Sequence, residues 1–147
     1  MTPPAYVRVT IQVDVDPDTA FSVFTEEIDA WYQRGPHNFA DPARAVGIRF
    51  EPFVGGRLIE VYDRDTGEGL TMARIEVWEP GKRLVFVDNR ETEADVTFEP
   101  SGGGTRVTLE HRGLERLAPQ QAEQHAKFGW RLVFGWYEQY AAELQPD

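Results

Sequence analysis

The chain has 147 residues, enough for one domain with a single substantial hydrophobic core. Its 25 acidic residues outnumber 15 Lys and Arg, and the net charge of -10 argues against nucleic acid or an anionic membrane surface as partner, because both demand a basic face. With no cysteine, disulfides, thiolate zinc sites, iron–sulfur clusters and thiol nucleophiles are excluded.

A local basic patch around Arg112 and Arg116 is the exception this charge balance leaves room for. Met1 to Tyr6 lacks the basic-then-apolar pattern of a signal peptide, and no stretch reaches the roughly 20 apolar residues of a membrane helix. A cytoplasmic location is therefore the default expectation, with no membrane insertion.

Tyr6 to Val15 alternates strictly, with Val7, Val9, Ile11, Val13 and Val15 on one face, which marks a strand with one buried side. Asp16-Pro17 ends it and suits the start of a helix. Ala20, Phe21, Phe24 and Ile28 then recur at helical spacing, as one short helix or two broken near Thr25, to about Tyr32. Gln33 to Ala45 holds Gly35, Pro36, Asn38 and Pro42 and reads as a loop, long enough to suggest a functional role. Six strands follow, at Val46–Pro52, Arg57–Tyr62, Leu70–Glu79, Lys82–Asp88, Thr92–Glu99 and Thr105–Arg112. The turns between them carry Val54-Gly55-Gly56, the polar Asp63–Gly69, Pro80-Gly81 and Ser101-Gly102-Gly103-Gly104. From Pro119 to Leu144 one long helix is expected, with Ala122, Ala126, Gly129, Val133, Trp136, Tyr140 and Leu144 forming its inward stripe. That helix is the element able to cover the apolar face of the sheet. The fold class is α+β, a curved antiparallel sheet of seven strands wrapped around a C-terminal helix in one domain spanning 1–147.

Several groups of residues, in this order, carry a resemblance to a known family. They are Pro17-x-x-Ala20-Phe21-x-x-Phe24-Thr25, Trp31-Tyr32 and Phe50-Glu51-Pro52-x-Val54-Gly55-Gly56-Arg57. They continue through Val77-Trp78-Glu79-Pro80-x-Lys82-Arg83-Leu84-Val85-Phe86, Gly104-Thr105-x-Val107-Thr108-Leu109 and Gly129-Trp130. The chain resembles the START-like (SRPBCC, Bet v 1-like) superfamily, and within it the family named after the C-terminal domain of the activator of heat-shock-protein-90 ATPase. The resemblance implies a helix-grip fold with a cavity between sheet and helix, where relatives bind lipids, hormones or polyketides and some catalyse cyclisation. The co-chaperone's additional N-terminal domain has no room here, so a chaperone partner has no support in the sequence. A homodimer stays open.

Phe128, Trp130, Phe134, Trp136, Tyr137 and Tyr140 on the last helix either fill the core or line a cavity. Gly129 and Gly135 each cost about 1 kcal/mol relative to Ala inside a helix, so Gly129 on the inward stripe marks a close contact or space for a ligand. His111 continues the parity of Val107 and Leu109, and Asp88 that of Leu84 and Phe86, so both should face inward. Together they are a candidate acid–base pair, and otherwise rim residues. No paired-histidine or calcium-loop spacing is complete: in Asp63-x-Asp65-x-Gly67, Glu68 stands where calcium loops need Gly. The glycine turns precede no helix and no Gly-Lys-Ser/Thr follows, so they are not phosphate cradles. No cofactor, and no metal or nucleotide required for folding, is expected.

The expected function is binding of a small, largely apolar molecule between sheet and helix. Trp31, Tyr32, His37 and Phe39 would cover the mouth, and Phe86, Asp88, His111, Phe128, Gly129, Val133, Trp136 and Tyr140 would line the interior. Two alternatives are a cyclase- or aromatase-type enzyme using His111 and Asp88, and a co-chaperone-like interaction module.

Overall fold

The computed structural model describes residues 6–33, 39–127 and 129–144. The first strand, β1 (Tyr6–Val13), leads into two short helices, α1 (Pro17–Thr25) and α2 (Ile28–Trp31). Six strands follow: β2 (Gly47–Phe50), β3 (Arg57–Val61), β4 (Gly69–Glu79), β5 (Arg83–Asp88), β6 (Glu93–Ser101) and β7 (Gly104–Arg112). A 3-10 turn at Leu114–Arg116 precedes α3 (Pro119–Lys127) and α4 (Gly129–Glu143).

Asp16 starts α1 from an extended conformation with Pro17 at the first helical position, where its missing N–H is not needed. The Thr19 hydroxyl donates to the Asp16 carboxylate and holds its pKa below the usual value. The break at Thr25 separates α1 from α2, and the Thr25 hydroxyl donates to Phe21 O at 2.8 Å within the core.

All strands pair antiparallel in the order β1-β7-β6-β5-β4-β3-β2, so β2 to β7 form a meander and β1 closes back beside β7. Register shifts between Leu58 and Ile59, and between Ile75 and Val77, mark bulges that bend the sheet. The β6–β7 turn needs positive φ at Gly102 (56°) and Gly103 (83°), which glycine adopts without a steric penalty.

Phe24 is the hub of the core. Its ring meets Tyr137 at 5.1 Å, Trp31 at 5.3 Å, Phe134 at 6.1 Å and Phe50 and Phe98 at 6.2 Å. Tyr137 is fully buried and donates to Ala20 O at 2.8 Å, tying α4 to α1. Val7, Leu114, Leu117 and Ala122 make a smaller cluster under α3.

The C-terminal segment departs from expectation in phase. Phe134, Tyr137 and Ala141 are the buried positions of α4, while Val133, Trp136 and Tyr140 are partly buried and Leu144 is 41% exposed. The expected inward stripe is thus one flank of the buried face. Apolar residues occupy most of the circumference of Trp130–Tyr137, so periodicity there reports a helix without choosing its face.

Candidate functional site

A cavity of about 840 Å³ lies between the sheet and the first half of α4. Its floor is a cross-strand row: Phe86 on β5 pairs with Ala94 on β6, which pairs with His111 on β7. Ala73 on β4 pairs with Asp88 on β5, extending the floor by one register step. Ala73 and Ala94 are small residues where core strands usually carry Val, Ile or Leu, and their missing volume helps open the space. Ile48, Leu58 and Met72 continue the floor toward β2. The roof is Gly129, Trp130, Val133 and Trp136, with Leu132, 51% exposed, at the rim. Trp130 meets Phe86 edge-on at 5.5 Å, and Trp136 meets Tyr32 at 5.5 Å, so aromatic pairs join roof to walls.

One end of the cavity is polar. The Thr92 hydroxyl donates to Asp88 Oδ2 at 2.7 Å and lies 2.9 Å from His111 Nε2. Asp88 Oδ1 accepts from the backbone N–H of Arg90 and of Thr92, each at 2.9 Å. Asp88 and His111 therefore share Thr92 rather than bonding directly, and the Asp88 carboxylate also holds the β5–β6 turn. Thr92 and His111 are 2% and 3% exposed while the Asp88 side chain is 27% exposed, so the chain runs from the buried interior to the solvent-facing end.

Of the residues expected at the site, Tyr32, Phe86, Asp88, His111, Gly129, Val133 and Trp136 reach the cavity wall. Trp31 instead lies in the core, donating through Nε1 to Val23 O at 3.0 Å beneath Phe24 and Tyr137. Phe39 is buried behind Tyr32 at 5.6 Å, and Tyr140 donates to Glu27 Oε1 at 2.7 Å along the flank of α4. His37 and Phe128 lie outside the described residues. Sequence reasoning missed Ala73, Ala94, Thr92 and Arg90. Ala94 shares the parity of Val96 and Phe98, so a small residue in an inward series was the available signal.

Burial and the nearby Glu60 charge push Tyr32 up to about 12, so its phenol stays protonated at the wall. The basic patch that the charge balance left room for is not formed at Arg112, which sits in a charge network: it binds Glu93, Asp95 and Glu110, each at 2.6 Å. Asp63 Oδ1 accepts from the N–H of Asp65 and Thr66, so the calcium-like segment is a turn. Among the described residues no group of three His, Asp or Glu is placed to hold a metal, and no helix is long and apolar enough to cross a membrane.

Several solved structures share this architecture. A protein from Nitrosomonas europaea superposes with a TM-score of 0.68 at 16% identity, covering 96% of each chain. CalC from Micromonospora echinospora, a self-sacrificing resistance protein, is 26% identical with a TM-score of 0.66, covering 94% of each chain. The Aha1 dimer from Colwellia psychrerythraea gives 0.63 at 13% identity, covering 95% of this chain and 97% of that one. No curated protein matches the sequence. The family model for Activator of Hsp90 ATPase homolog 1-like protein matches residues 14–143, and the chain belongs to that family.

Proposed function

We propose that this protein binds a small, largely apolar molecule between the sheet and α4 and holds it without chemical conversion. The observation that carries this is the cavity of about 840 Å³ roofed by Trp130 and Trp136, within the size range of small-molecule sites. Its polar groups cluster at one end, which suits orienting a guest whose body is apolar. The likeness to CalC, a self-sacrificing resistance protein, supports a guest from which the cell is protected. The test is native mass spectrometry of the purified protein, together with titration of the apolar probe N-phenyl-1-naphthylamine. A copurified small molecule, or probe binding that quenches tryptophan emission, is expected. Absence of both would remove the proposal.

The chain Asp88–Thr92–His111 favours one second reading, acid–base chemistry of the cyclase or aromatase kind. Against it stands the structural duty of Asp88, whose carboxylate already accepts three hydrogen bonds from its own turn. Recovery of a bound guest with altered mass would favour the enzyme.

A further inference from the structure

Ala94 and Ala73 stand at a spacing that the strand register fixes. Ala94 on β6 is flanked across the sheet by Phe86 and His111, and Ala73 on β4 by Asp88 and Leu58. An alanine side chain ends at Cβ, so each leaves a dip between larger neighbours, and both dips open into the cavity. Ala94 pairs with Phe86, and Ala73 with Asp88, two residues further along β5. Two strand spacings of about 4.8 Å and two residue rises of about 3.4 Å put the alanines about 12 Å apart on a diagonal. The roof has a matching length. Between Gly129 and Trp136 it follows α4 for about 10 Å.

The diagonal is also narrow. It crosses β5 at Val87, whose side chain turns to the opposite face by strand alternation, so it passes between Phe86 and Asp88. Phe86 reaches the roof beside it, meeting Trp130 edge-on with ring centroids 5.5 Å apart. A broad, globular guest would have to part that pair, whereas a single chain passes alongside.

We infer that the guest is slender, an unbranched apolar chain of about ten carbons seated in both alanine dips, and that Ala73 and Ala94 set its length. With C–C bonds of about 1.5 Å, an extended chain of about ten carbons covers the diagonal. This rests on the cavity-binding function proposed above.

Titration with straight-chain alcohols from 1-hexanol to 1-tetradecanol, followed by calorimetry and by displacement of N-phenyl-1-naphthylamine, tests the inference. Affinity should rise about fourfold per methylene as far as about decanol and level off beyond it, because later methylenes leave the floor. In Ala94→Leu and Ala73→Leu one dip is filled, so the levelling should move to about heptanol. Ala94→Val and Ala73→Val add less volume and should shift it by less; urea melts establish which variants are folded. A steady rise through tetradecanol, levelling of the unsubstituted protein before octanol, or a levelling point unchanged in folded variants overturns the inference and leaves the cavity function standing. Should every variant fail to fold, the series on the unsubstituted protein decides. If neither the alcohols nor N-phenyl-1-naphthylamine bind, the cavity function falls and this inference with it.

Discussion

Glu60 on β3 is a fully buried carboxylate with three donors around it: Ala40 N–H at 2.6 Å, Asp41 N–H at 2.9 Å and the Tyr62 hydroxyl at 2.6 Å. It pins Ala40 and Asp41 to the sheet beside Phe39, which backs the cavity residue Tyr32. Hydrogen bonds to charged groups contribute about 1.5–3 kcal/mol each, and an orphaned buried donor adds its own penalty. Glu60→Ala should therefore destabilise the fold by about 3 kcal/mol in urea denaturation; a loss below about 0.5 kcal/mol, typical of surface substitutions, would show the clamp to be inert. The same carboxylate raises two tyrosines. Its hydrogen bond lifts Tyr62 to about 12, and burial assisted by its charge lifts Tyr32 to about 12, against an ordinary 10.0. A folded pKa above the unfolded one means that the fold retains protons the unfolded chain has released. This stabilisation is complete below pH 10 and lost as pH rises toward about 12. Urea melts across that range should show stability falling, with phenolate absorbance appearing late. At this scale the sequence was informative about parity: it placed His111 and Asp88 on the inward face. It was silent on Thr92 standing between them, because three strand-and-turn positions meet there only after β5, β6 and β7 are in register.

Among the elements, α4 shows what a periodic pattern leaves undecided. Helical spacing was plain from Pro119 to Leu144, but along Gly129–Glu143 two neighbouring apolar stripes competed for the sheet. Phe134 and Tyr137 occupy the buried one because they reach the Phe24 hub. Phe134→Ala should cost about 3–5 kcal/mol, whereas Leu144→Ala should stay within about 0.5 kcal/mol. Thermal or urea unfolding of both variants distinguishes this face from the stripe through Leu144. On β5, β6 and β7, Arg83, Asp95, Glu93, Arg112 and Glu110 form a ladder across neighbouring strands, each ion pair 2.6–2.9 Å long. Burial disfavours the Asp95 charge, but hydrogen bonds from Arg83 and Arg112 outweigh it and hold the pKa below its usual value of 3.8. The depressed pKa contributes stability that is present above pH 3.8 and lost as pH falls through the folded value. Asp95→Asn should flatten the acid limb of the stability profile measured by urea denaturation; an unchanged limb would discount the ladder.

For the molecule as a whole, the question is whether the space beneath α4 serves a guest. Gly129→Leu adds volume at the roof and replaces glycine with a better helix former. The variant should stay folded while affinity for N-phenyl-1-naphthylamine falls at least about tenfold, roughly 1.4 kcal/mol. A loss of about 1–3 kcal/mol in stability, with no probe binding to the unsubstituted protein, would mark overpacking of a closed contact and dismiss the guest.

The strand sequence, the hairpin turns and the α+β class were determined by the sequence alone, because alternation, glycine conformation and helix starts act over a few neighbouring residues; whether the helix broke near Thr25 was left open and settled by the structure. The strand bounds expected from them agree with the sheet to within a few residues, as at Arg57–Val61 and Gly104–Arg112. The cavity was decided by tertiary structure. Its volume is the difference between what Ala73 and Ala94 leave vacant on the sheet and what Trp130, Val133 and Trp136 fill from α4. Those residues lie far apart in the chain, and each small deficit counts only once the helix has settled in one rotational phase. That phase is set by which ring reaches Phe24, a long-range packing competition that no local pattern encodes.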